Sequence, residues 1–185
     1  MPAILDSRLI HEVVDAFPRG NGWMAMFCSQ LGRGENDRQA SWKPIAPLRR
    51  VGGVYALLLP QSEFSPARSI DLHGPKRSRI RFEFTLKSVT PDGFGVAYCG
   101  RTTNLAQRFR GHLSPGKRKD GGQVKYGLMD ATICADEHAA LTFLRTHGRI
   151  VYRILDGPEQ TANRDIIELS LCARYCPPFN IKSER

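Results

Sequence analysis

Leu9, Ile10, Val13, Val14 and Phe17 recur at helical spacing, which predicts a helix over residues 5–17. The run Pro18-Arg19-Gly20-Asn21-Gly22 stops it. An apolar stretch follows over 23–31, then a polar, glycine-rich loop over 32–38. Pro44 and Pro47 mark a linker, and the main domain is expected from Leu48 onward. Residues 53–59, GVYALLL, are apolar on both faces, as a central buried strand is. Further strands are predicted over 96–99 and 150–155, with helices over 105–113, 135–147 and 164–176. Asp136 and Glu137 suit the first turn of the second of these helices, and Pro177-Pro178 halts the last.

A long segment, 61–95, separates the first two strands. In it Arg79, Arg81, Glu83, Thr85 and Lys87 alternate with Ile80, Phe82, Phe84 and Leu86, the period of a half-buried strand. Ile70 and Leu72 indicate its partner, with a turn at Gly74-Pro75. The pattern describes a small α/β domain over 48–185, an inserted basic ribbon over 61–95, and an N-terminal helical extension over 1–47 with potential DNA contacts.

Charge narrows the choice of partner. The 185 residues carry a formal charge of +9, which in a compact chain points to a polyanion. No clean amphipathic helix with a basic face and no span-length apolar run is present, so no membrane partner is expected. The first sixteen residues mix Asp6, Arg8, His11, Glu12 and Asp15 with apolar ones, unlike a secretory leader, and a cytoplasmic protein is expected. Five cysteines without a CxxC spacing argue against a disulfide framework or a zinc ribbon.

The chemistry concentrates in an ordered set. Gly53-Val54-Tyr55 opens the first strand and Tyr98-Cys99-Gly100 closes the second, where the chain is expected to turn sharply. Thr103 or Asn104 can cap the next helix. On that helix Leu105, Phe109 and Leu113 form a core-facing ridge, and Arg108 and His112 lie one turn apart on its flank. Glu168 falls among Leu171, Cys172 and Tyr175, where an unpaired carboxylate is costly. A divalent cation would satisfy it, and Mg²⁺ needs few protein carboxylates. The competing reading is an ion pair with Arg164, one turn earlier.

This set, with Pro177-Pro178-Phe179-Asn180 after it, resembles the GIY-YIG nuclease family over roughly residues 49–182. GVY stands for GIY and YCG for YIG, and YCGRTTNLAQRFRGH is similar to the family's strand-to-helix segment. The ribbon departs from the family's short hairpin between the two motifs. The resemblance implies a three-stranded antiparallel sheet flanked by helices, and a phosphodiester hydrolase acting on double-stranded DNA with Mg²⁺, for which Mn²⁺ can substitute. It also implies that the hydroxyls of Tyr55 and Tyr98 reach the active site, with Tyr55 deprotonating or orienting the attacking water and passing its proton to His112. Arg108 would hold the scissile phosphate, Glu168 the metal, and Asn180 would bond near the site.

Arg79, Arg81, Arg101, Lys117, Arg118 and Lys119 are the expected DNA contacts. Compact additions to a catalytic domain, and LRRVGGVYALLL at its entry, suggest a restriction-type enzyme. A repair or mobile-element nuclease shares the chemistry, and a non-catalytic nucleic-acid-binding module shares the charge. The oligomeric state is left open, a dimer being one form. GHLSPGK is no P-loop, since Arg118 follows it and a helix precedes it.

Overall fold

The structure is a computed structural model. It describes residues 5–20, 22–32, 42–64, 68–73, 79–116 and 123–180, with backbone alone over 68–73 and 79–82. Five helices are present among them: α1 (Ser7–Asp15), α2 (Leu105–Leu113), α3 (Gln123–Asp130), α4 (Glu137–His147) and α5 (Thr161–Tyr175). The strands are β1 (Trp23–Phe27), β2 (Gly53–Pro60), β3 (Arg68–His73), β4 (Arg79–Phe84), β5 (Phe94–Thr102) and β6 (Arg149–Ile154).

The main sheet is antiparallel with four strands in the order β1-β6-β2-β5, not three. The fourth is β1, from the segment ahead of Leu48, which pairs Trp23 to Arg153 through Phe27 to Arg149. Its apolar run does not alternate, and three of its five residues are exposed at the sheet edge, so period-two reading passes over it. β2 lies at the centre, and seven of its eight residues are buried. One face of the sheet, with Tyr55, Leu57 and Leu59, packs with α2, α3 and α4 through Phe109, Leu128 and Leu144. The other face, with Val54, Ala56 and Leu58, packs on α1 and α5 through Val13, Ile167 and Leu171. Both faces of β2 are thus covered by helices, which is why its sequence shows no alternation.

Capping residues set the helix ends. Asp6, Asn104 and Asp136 accept backbone N–H bonds from Leu9, Gln107 and Ala139 and start α1, α2 and α4. Asn104, rather than Thr103, is the cap of α2. Cys176 takes a left-handed conformation, φ 46°, and ends α5 before the two prolines.

β3 and β4 form a separate antiparallel ribbon, as the alternation predicts. Its root is aromatic: Phe84 packs on Phe64 and Phe179, with ring centroids 6.0 and 5.8 Å apart. Glu83, Thr85 and Lys87 are exposed while Phe84 and Leu86 are buried. No helix among the described residues is long and apolar enough to cross a membrane.

Candidate active site

The paired tyrosines rest on regular β2–β5 pairing and on one glycine. Between Leu57 and Leu58 the β2–β5 register shifts, so that Tyr98 faces Leu57 and Val96 faces Leu58, with Ala97 as the extra residue. The shift lies beyond both tyrosines: pairing is regular from Gly53 to Leu57, so Tyr98, opposite Leu57, shares the sheet face of Tyr55, and the two rings lie 6.0 Å apart. Gly100 pairs directly with Tyr55. β5 continues to Thr102, so Gly100 does not mark a strand end as the sequence suggested. Its role is steric: a Cβ there would stand 2.6 Å from the Tyr55 hydroxyl and ring, and only glycine lets the ring lie across the neighbouring strand.

α2 supplies the partners of Tyr55. Leu105, Phe109 and Leu113 are fully buried, as the ridge predicts. One turn apart on its flank, Arg108 and His112 converge on one oxygen. The Arg108 Nε donates to the Tyr55 hydroxyl at 3.0 Å, and the hydroxyl lies 2.8 Å from His112 Nε2. With Arg108 already donating to it, the hydroxyl is left to donate its own proton to His112. That bond places the imidazole proton on Nδ1, which has no partner among the described residues. Burial, then the nearby Arg108 and Lys125 charges, push His112 down to about 3, so the ring is neutral and able to accept. Burial and the neighbouring Tyr98 raise the Tyr55 hydroxyl well above its usual range, against the pull of Arg108. Tyr55 is therefore a neutral phenol at rest.

A cleft of about 450 Å³ lies beside this cluster, lined among others by Tyr98, Arg101, Arg108, Gln123, Glu168 and Asn180. It straddles the β5 edge, receiving Arg108 from the helices on one face and Glu168 from α5 on the other. Tyr98 and Arg108 line it, whereas Tyr55 and His112, both fully buried, stand behind them. A more open depression of about 600 Å³, bounded by residues 15–20 and 88–91, lies away from these residues.

Glu168 is half-buried, and burial raises its carboxyl despite Arg101 and Arg108 nearby. It does not pair with Arg164, which instead donates to Leu155 O, Gly157 O and the Thr161 hydroxyl. Its cation is Arg101, whose Nε lies 3.0 Å from Glu168 and 2.9 Å from Asp165. Arg101, expected on phosphate, thus bridges two carboxylates. Asp165 was missed in the sequence, although acids three apart on one helix share a face.

The donor set suits a hard cation that keeps its waters. Glu168 and Asp165 already converge on one positive group, and a carboxylate raised by burial favours a cation beside it. No group of three or more His, Cys, Asp or Glu able to hold a metal occurs among the described residues, which does not suit a zinc cage.

Asn180 lines the cleft and also anchors β5. Its Oδ1 accepts from Cys99 N at 2.8 Å and its Nδ2 donates to Cys99 O at 2.7 Å. With Phe179 N on Ala97 O at 3.2 Å, it fastens the chain after α5 to the edge of β5. Lys125 is a further buried polar group without a sequence signal. It donates to Ser114 O, Gly116 O and Glu137, tying α3 to α4 and to the end of α2. Arg79 and Arg81 lie on β4, while Lys117, Arg118 and Lys119 fall outside the described residues. No family model, curated protein or solved structure matches this chain.

Proposed function

We propose that this chain is a metal-dependent DNA endonuclease of the GIY-YIG type, acting as a sequence-specific restriction-type enzyme. The observation that carries the reading is the Arg108–Tyr55–His112 chain beside a cleft that also holds Glu168. A neutral imidazole accepting from a buried phenol, with an arginine on the same oxygen, is an arrangement for moving a proton. A four-strand antiparallel sheet flanked by helices, with the two tyrosines on adjacent strands, agrees with it.

The residues divide the work as follows. The scissile phosphate enters the cleft and draws Arg108 forward, since a guanidinium matches phosphate geometry and offsets charge developing on it. Arg108 thereby leaves the Tyr55 oxygen, and the attacking water takes its place as donor. As the water adds to phosphorus, the bond from phosphorus to the leaving sugar oxygen breaks. The water's proton passes to Tyr55 while the Tyr55 proton passes to His112 Nε2, and the leaving oxygen takes a proton from solvent. Tyr55 is neutral before and after, which removes the need for a phenolate in a site that disfavours one. Tyr98 flanks the water from the cleft wall. Glu168, with Asp165, would hold Mg²⁺ or Mn²⁺, which when bound supplies electrophilic stabilisation of the phosphate and leaving oxygen. Arg101 stands in for that charge in the free chain. Asn180 positions β5 through its two bonds to the Cys99 backbone.

The test is incubation of supercoiled plasmid with the protein, with and without Mg²⁺. Discrete linear fragments that require the cation support the reading. Tight binding without cleavage in Mg²⁺ or Mn²⁺ would instead identify a binding module.

A further inference from the structure

Gln123 is the first residue of α3 and lines the same cleft as Arg101 and Arg108. Its Oε1 is buried and has no hydrogen-bond partner among the described residues. A buried carbonyl without a donor is unfavourable and calls for a partner. Two nearby cations are committed. Lys125, two residues on, gives its ammonium to Ser114, Gly116 and Glu137, and Arg101 is held by Asp165 and Glu168. A phosphate cannot serve, because its oxygens only accept. The nucleoside groups that donate from a duplex groove are base amino groups: N6 of adenine and N4 of cytosine in the major groove, N2 of guanine in the minor. Thymine presents only acceptors and a methyl group there. Leu169, on α5, lines the cleft with 55% of its surface exposed, an apolar wall for the same nucleoside.

We infer that Gln123 is a substrate-reading residue, its shielded side-chain carbonyl turning into the cleft to accept from the amino group of a base next to the phosphate held by Arg108. The inference rests on the nuclease reading above and assigns part of its sequence selectivity. Gln123 takes no part in the proton path.

The experiment is cleavage of a randomised duplex library with Mg²⁺, followed by sequencing of the cut ends, for the wild type, Gln123→Leu and Gln123→Glu. Melting temperatures establish that the three fold alike. The wild type should deplete thymine at one position flanking the cut, by roughly fivefold for one lost donor. Gln123→Leu, which has no acceptor, should erase that depletion while still cutting. Gln123→Glu, which keeps an acceptor, should retain it. The same thymine share for wild type and Gln123→Leu overturns the inference while leaving the nuclease reading intact. Slower cutting by both variants with unchanged base frequencies also overturns it, and places Gln123 with the water or the fold. No Mg²⁺-dependent ends from the wild type removes both readings together.

Discussion

The Tyr55 hydroxyl and His112 Nε2 lie 2.8 Å apart although 57 residues separate them in sequence. One belongs to the central strand and the other to α2, and both are buried. The bond therefore depends on packing of that helix over the sheet. Tyr55→Phe removes the shared oxygen and leaves Arg108 Nε and His112 Nε2 without it. Cleavage should fall by about two to four orders of magnitude, the usual contribution of a positioned acid–base group. Stability should drop by about 1–3 kcal/mol for the unpaired polar groups. Cleavage rate and thermal melting on one preparation check both, and cleavage within tenfold of wild type would remove Tyr55 from the proton path.

His112 also sets an acid limit on stability. In the unfolded chain it titrates near 6.5, and in the fold at about 3. Between those values the unfolded state binds a proton that the native state does not. Its contribution is thus complete above about 6.5 and is lost progressively as pH falls toward 3. The melting temperature of the wild type should decline through this window more steeply than that of His112→Gln, which has nothing to protonate. Parallel curves would contradict the burial of a neutral imidazole.

Asn180 makes two bonds to the Cys99 backbone. Asn180→Ala should lower stability by about 1–3 kcal/mol, since Cys99 loses its partner on a buried strand. Urea denaturation measures this. The residual activity at a temperature where the variant is folded should exceed that of Tyr55→Phe. A fully folded, undestabilised Asn180→Ala that cannot cleave would instead make Asn180 catalytic.

Under the proposed nuclease reading the ribbon is the expected DNA reader, because a two-stranded ribbon fits the major groove and β4 carries Arg79 and Arg81. Replacing both with Ala should relax site choice and leave melting unchanged. Log affinity against log salt should also lose up to about 0.9 in slope for each phosphate contact removed. Unaltered cleavage pattern, affinity and salt slope would exclude the ribbon as the reader.

Strong periodic signals in the sequence translate directly into the fold. The two-sided apolar run of β2, the Leu105–Phe109–Leu113 ridge and the alternation into β4 all sit where their periods place them. What escaped has a physical reason in each case. β1 is an exposed edge strand, so its pattern carries no burial period. α3 buries Lys125 and Gly127, neither of which reads as core. Lys125 is there for three oxygen acceptors, and Gly127 because the Phe179 ring occupies the space of its Cβ. In the site, the one-turn spacing of Arg108 and His112 is legible in the sequence, whereas their meeting with Tyr55 depends on the packing of α2 over the sheet and was implied only by the family resemblance. The exchange of Arg164 for Arg101 as the partner of Glu168 is a contact between α5 and β5, and spacing within one helix cannot reveal it.

Glu168→Gln provides the most direct test, because it preserves shape and removes only charge. Arg101 keeps Asp165, and the burial that raises the Glu168 carboxyl no longer opposes a charge, so melting should hold or rise. The decisive measurement is the Mg²⁺-dependent plasmid cleavage rate of this variant, at protein concentrations where it binds DNA as well as the wild type. The account predicts loss of nearly all cleavage, several powers of ten at about 1.4 kcal/mol each, with DNA affinity kept or improved. Cleavage near the wild-type rate would contradict it.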